Sequence, residues 1–258
     1  MVIRRIRDHV ADHNWFAVTV DLAIVVVGVF FGTQANNWNQ ARIERATAAE
    51  YRQQIIDDLG DNVVDLGARK AYYATARSHA LATLAAIDSP SRPQGEPFLI
   101  DAYQASQVWL RPLVRTGYDE MTGAGLTHGL GDRGTRSRLT NYYTQVRQFD
   151  ITALNTTPYR ERLRRALPYN VQLAIRESCG ERVTTLDNGA QVATFPDRCA
   201  PALDQPTIDS AVARLKAADL REDLTRQIAD LDQKLSGFER FGRLARDNRA
   251  FLQAQERR

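Results

Sequence analysis

Residues 15 to 38 read Trp-Phe-Ala-Val-Thr-Val-Asp-Leu-Ala-Ile-Val-Val-Val-Gly-Val-Phe-Phe-Gly-Thr-Gln-Ala-Asn-Asn-Trp, and from Phe16 to Thr33 almost every side chain is apolar. At a helical rise of about 1.5 Å per residue this run covers roughly 27 Å, the thickness of a bilayer core. Trp15 and Trp38 bracket it, where indole rings settle among headgroups. A cleaved signal peptide also has a basic start and an apolar middle. This run is long for one, and its only cleavage candidate, Thr33-Gln34-Ala35, follows the bulky Phe30 and Phe31. A core helix of a soluble domain would carry a polar stripe. The stretch therefore reads as a transmembrane helix over residues 15–38. Arg4, Arg5 and Arg7 precede it, and the other flank, Asn36-Asn37-Trp38-Asn39-Gln40, is uncharged. The positive-inside rule then keeps the tail, residues 1–14, in the cytoplasm and sends residues 39–258 to the other side.

Asp21 lies inside the span. An ionisable group there costs on the order of 3 kcal/mol at the bilayer centre and usually faces protein. At helical spacing Asp21, Val25, Gly28, Gly32 and Ala35 share one face. Gly28 and Gly32 make a G-x-x-x-G pair that lets two helices approach closely. The expected use is an interface with a second copy or a partner membrane protein. The alternative is chance glycines and an aspartate reaching towards headgroups.

Beyond Trp38 the helical pattern continues. No proline occurs between Val2 and Pro90. Ile55, Leu59, Val63, Leu66, Tyr73, Ala80, Leu84 and Ile87 recur at three- and four-residue steps, an amphipathic stripe. The span should thus run on into a long helix over residues 40–87. The Pro-rich stretch 88–97 breaks it, and a second helix is expected from about Phe98 to Arg111. A Gly-rich stretch follows, without the Gly-Lys-Ser/Thr of a phosphate loop. A short helical turn, a loop and a new helix started by Asp132 or Thr135 fit it better. That helix should run to about Leu154, and Thr156-Thr157-Pro158 should start another. Thr207 or Asp209 should open the last helical region. From Leu220 it is long, with Leu220, Leu224, Ile228, Leu231, Leu235, Phe238, Phe241 and Leu244 in an apolar stripe suited to antiparallel packing against residues 40–87.

Cys179 and Cys199 are the only cysteines. Outside the cytoplasm an even pair at short separation favours a disulfide. Between them, β-branched runs flank Asn188-Gly189, a strong hairpin signal. With those two as the loop, Asp187 faces Ala190, and Cys179 comes within one place of Cys199. The fold expected is mainly α: a transmembrane helix running into an extracytoplasmic antiparallel helical bundle, with a disulfide-linked β-hairpin at about residues 182–196.

One resemblance adds to this. The span's close, Gly28-Val-Phe-Phe-Gly-Thr-Gln34-Ala-Asn36-Asn37-Trp38, with acidic Asp21 before it, resembles an uncharacterised family of bacterial single-span membrane proteins. A looser second element, Thr116, Tyr118, Asp119, Met121, Gly125, Asp132, Arg136, Tyr142 and Tyr143, is similar to that family's Thr/Tyr-Asp/Glu-x-Leu, Gly and Asp-x-x-x-Arg pattern. Met121 stands where Leu is usual, and Gly134 beside the Arg is a departure. The resemblance implies a bacterial inner-membrane protein with a periplasmic domain, and no assigned activity.

Function is less constrained. With 34 basic and 31 acidic residues and only three lysines, the mixed surface gives little support to nucleic-acid binding. No H-E-x-x-H, C-x-x-C or G-x-S-x-G occurs. His9 and His13 lack a third ligand, and His79 and His128 stand alone. Asp57, Asp58, Asp61 and Asp65 read as a hydrated helix face, as do Arg160, Arg162, Arg164 and Arg165. No enzyme, cofactor or metal is expected. Two uses remain. One is a structural or interaction subunit working through its span and stalk. The other is a small-molecule binding or sensing module, with Trp109, Tyr118, Tyr142 and Tyr143 as its pocket. A tail of residues 1–14 is too short for a signalling domain, which favours the first.

Overall fold

The computed structural model describes residues 15–89, 94–186, 189–196 and 198–257. The basic tail with Arg4, Arg5, Arg7, His9 and His13, the segment from Pro90 to Pro93, and Asp187 and Asn188 lie outside them.

A single helix, α1 (Trp15–Ile87), contains the apolar run and continues unbroken into the domain for 73 residues. At about 1.5 Å per residue it is about 110 Å long. Its upper part is the spine of a helical bundle. Of the stripe expected from the sequence, Ile55, Leu59, Leu66, Tyr73 and Ala80 are buried, and Val63, Leu84 and Ile87 pack partly buried against the core.

The long C-terminal helix α8 (Arg221–Glu256) lies antiparallel against that stripe. Its register is fixed by cross-helix pairs: Asp88 with Arg221, Arg77 with Asp232, Lys70 with Glu239, and Arg52 with Gln255 and Glu256. The partner numbers fall by nearly one for each residue gained, as two straight antiparallel helices require. Helix α4 (Arg133–Ala153) packs along the lower half of α8, with Arg138 bonded to Asn248 and Arg240 to Gln145. Asp132 caps α4, its carboxylate accepting from the Thr135 amide at 2.7 Å, as the sequence predicts.

Short helices complete the bundle: α2 (Glu96–Gln104), α3 (Thr116–Gly123), α5 (Pro158–Ala166), α6 (Tyr169–Cys179) and α7 (Gln205–Ala218). A 3-10 turn, Thr127–Leu130, lies between α3 and α4. Pro158 occupies the first turn of α5, where its missing N–H costs nothing. Helix α7 starts two residues before Thr207, because Asp204 caps it by accepting from the Thr207 amide at 2.8 Å.

Helix α2 ends at Gln104, well short of the expected Arg111. Ser106 folds its hydroxyl back onto the Tyr103 carbonyl. Beyond it the backbone is bonded by side chains of α1, which a continued helix could not accept.

The hairpin pairs β1 (Arg182–Thr185) with β2 (Gln191–Thr194), Arg182 opposite Thr194 and Thr185 opposite Gln191. This differs by one place from the expected register. Leu186, not Asp187, faces Ala190, and Gly189 sits at φ +78°. The expected turn residue Asn188 lies outside the described residues, and the left-handed Gly189 closes the turn onto Leu186. The disulfide Cys179–Cys199 is formed. It joins the last residue of α6 to the chain after β2, so a helix end, rather than strand register, brings the sulfurs together.

Candidate functional site

Among the described residues the lower third of α1 has no partner. Trp15, Phe16, Leu22, Ile24, Val29, Phe30, Phe31 and Trp38 are each more than half exposed, and they point in all directions around the helix. This is the one described helix long and apolar enough to cross a membrane. Asp21, Val25, Gly28 and Gly32 lie on one open face of it. Among the described residues, a side chain built on either glycine would meet nothing within 4 Å. The Asp21 Oδ2 is shielded from solvent and accepts no hydrogen bond among the described residues.

Above the stalk a second feature emerges that the sequence reading missed. Asp58, Asn62, Asp65 and Arg69 form a buried polar stripe beside the apolar one on α1, and the hydroxyl of Tyr73 extends it. Their side chains hold the irregular segment 109–115 and the first turn of α3, rung by rung. Tyr73 hydroxyl donates to the Trp109 carbonyl and accepts from its amide. Arg69, paired with Asp65, donates to the carbonyls of Arg111 and Pro112. Asn62 donates to the Val114 carbonyl at 2.7 Å and accepts from its amide at 2.8 Å. Asp58 accepts from the Gly117 amide at 2.7 Å. A part-buried segment outside helix and sheet needs partners for the backbone groups it turns inward, and here one helix supplies them. Gly117 is needed for the closest approach, since a Cβ there would lie 2.9 Å from the Ile55 nitrogen.

Two carboxyls in this region are pushed above the usual carboxylate range. Burial is the largest cause for Asp58. The Gly117 amide opposes it, and Asp61, Asp57 and Glu120 add to it. Burial likewise raises Asp150, opposed by the Leu113 amide that its carboxylate accepts from and by Arg69 and Arg115. The acidic cluster is therefore only partly a hydrated face: Asp57 is exposed, whereas Asp58 and Asp65 are buried. Polar residues repeating at the helical period directly beside an apolar stripe were the signal available for this.

The basic helix α5 also departs from a purely solvated face. Arg164 lies over the Tyr103 ring at 3.7 Å and bonds Ser106 and Gln107. Arg160 donates to the Ser106 carbonyl, and Arg162 pairs with Asp223. His79 is not isolated; its Nδ1 lies 2.7 Å from Asp101, tying α1 to α2.

Of the aromatics expected to line a pocket, three meet and one does not. Tyr118 stacks on Tyr143 at 4.1 Å, and Tyr142 meets Tyr143 edge-on at 4.9 Å. Tyr142 and Tyr143 are buried in the core. Trp109 sits apart, tilted against Tyr72, which stacks on Phe195 after the hairpin. Ring packs against ring here, the usual use of such residues in a core. Among the described residues no group of three or more His, Cys, Asp and Glu is placed to hold a metal ion.

No family model, curated protein or solved structure matches this chain.

Proposed function

We propose that this is a non-enzymatic, single-pass membrane protein that acts as an interaction subunit. Its span self-associates or docks against a partner membrane protein through Asp21, Val25, Gly28 and Gly32. Its N-terminus is cytoplasmic and its bundle periplasmic, in the inner membrane of a bacterium, as in the family its span resembles. The lipid bilayer is its first partner; no nucleic acid is involved. One observation supports this reading: among the described residues α1 is packed against other helices in its upper part and unpartnered below, where its surface is apolar but for Asp21 and two threonines. The apolar surface suits lipid, and the glycine face with its one carboxylate suits a second helix.

Photo-crosslinking in intact cells tests it. A photoreactive residue at Val25 should give a specific adduct, to a second copy or to one membrane protein. The same probe at Val27, on the opposite side of the helix, should give none. Absence of any adduct at Val25, or equal adducts at both positions, would contradict an interface on this face.

A further inference from the structure

Within the bundle, the outer side of α1 lacks the charge that a water-facing helix carries. Between Val64 and Leu81 one of its exposed residues, Lys70, is charged, and Lys70 turns to Glu239 on α8 at 3.3 Å. The others are Val64, Gly67, Ala71, Ala74, Ser78 and Leu81. Val64 and Leu81 are 44% and 40% exposed, and a side chain built on Gly67 would meet nothing within 4 Å among the described residues. Helix α8 at the same height gives the comparison. Its exposed residues there include Asp232, Glu239, Arg240 and Arg243. A helix face turned to water is ordinarily charged or polar. The outer face of α8 therefore suits solvent, and that of α1 suits a contact.

The six uncharged positions alternate by three and four, the spacing of a two-helix seam. Counting down from Leu81 in sevens gives Ala74, Gly67, Gly60, Gln53, Ala46 and Asn39, then Gly32 and Val25 of the span, without a charge. One unbroken helix carries this whole track. A seven-residue repeat stays on one face when two helices wind left-handedly round each other. The positions directly opposite the seam also lie seven apart: Ala48, Ile55, Asn62, Arg69, Ala76 and Thr83. All six are buried against the bundle. A helix meeting α1 on the seam therefore leaves the bundle on the far side, clear of the contact.

We infer that a second copy of this chain covers this face, so that two α1 helices run side by side from the span to the height of Leu81. The inference rests on the proposed single-pass span, which makes two copies in one membrane parallel. A two-fold axis between them then sets each residue of the track against its own counterpart. An uncharged track meets itself without like-charge repulsion. Glu50 and Asp57 are the charges on the companion track of the seam, and both are exposed, where repulsion is screened and worth little. The span holds the two copies together, so the upper contact needs little affinity of its own.

Photo-crosslinking of the full-length protein in intact cells tests it. A photoreactive residue at Ala82, exposed beside the seam, should join two copies of this chain, α1 to α1. The same probe at Gln233, exposed on α8 at the same height, should give no such adduct. Ala71→Arg sets two cations face to face and should remove the Ala82 adduct. Its unfolding midpoint should stay that of the native chain, because Ala71 is exposed. A homotypic adduct from Val25 with none from Ala82 would overturn this inference and leave the span interface standing. An Ala82 adduct to a different protein alone, or one that survives Ala71→Arg, would overturn it too. A homotypic adduct from Ala82 with none from Val25 would support the paired helices and count against the span face.

Discussion

Asn62 shows how much one side chain decides in this fold. Its amide matches both backbone groups of Val114, one by donating and one by accepting. Asn62→Ala leaves both unpaired, and at about 1–3 kcal/mol per unsatisfied buried group, taken at the low end because Val114 is part-buried, the variant should lose about 2 kcal/mol of stability. Urea unfolding followed by Trp109 fluorescence would measure the loss. Asp58 on the rung below makes a different prediction. Its folded pKa lies above the unfolded value, chiefly through burial, so the folded state holds the proton to higher pH than the unfolded chain does. Between the ordinary carboxylate value, 3.8, and the raised one, stability therefore falls as pH rises. Asp58→Asn keeps an oxygen for the Gly117 amide and removes the titration. Native stability relative to that variant should increase as pH is lowered from 7 towards 4. Parallel pH profiles would count against a buried, raised carboxyl. None of this was legible residue by residue. An Asp in a helix looks the same facing water or an amide, and only the unexpected end of α2 at Gln104 brings the irregular segment alongside.

At the scale of elements, apolar periodicity was the reliable guide. The stripes on α1 and α8 fixed the two longest helices and their antiparallel pairing, because burial of those residues dominates the energy. The ion pairs between them report the register but contribute little. Arg77 and Asp232 are each about a third or more exposed, 37% and 51% for their side chains, so Arg77→Ala should cost less than about 1 kcal/mol. Leu231→Ala, at a fully buried position on the same helix, should cost about 2–5 kcal/mol. A comparison of unfolding midpoints would separate the two. What the sequence left hidden at this scale was local. The Asn-Gly signal located the hairpin, yet the register moved by one place, with Gly189 left-handed. The cysteine pair formed through the end of α6. Short turns are decided by differences of about a kcal/mol between backbone conformers, and periodicity does not register these.

For the whole molecule, the consequence is a stiff rod carrying a bundle at a set height. The C-terminal end of α8 lies level with Arg52, which donates to the Leu252 carbonyl and to Gln255. From Trp38 to Arg52, α1 rises about 21 Å, and over most of that length no other described element covers it. If the proposed topology holds, the bundle stands clear of the membrane on a bare helical stalk, and any movement of the span reaches the core directly through α1. The helical form of that lower end was the most legible part of the chain, since a run from Phe16 to Thr33 broken only by Thr19, Asp21 and glycines is long and apolar enough for a span. The proposed interface rests on the shared face of Asp21, Val25, Gly28 and Gly32, which the helix preserves. The measurement that tests the topology most directly is the intact mass of the protein recovered from alkali-washed membranes, before and after reduction and alkylation. A full-length mass in the membrane fraction, with Cys179 and Cys199 alkylated only after reduction, is the expected result. A mass beginning near Asn36 in the soluble fraction, or a full-length chain with two free thiols, would contradict it.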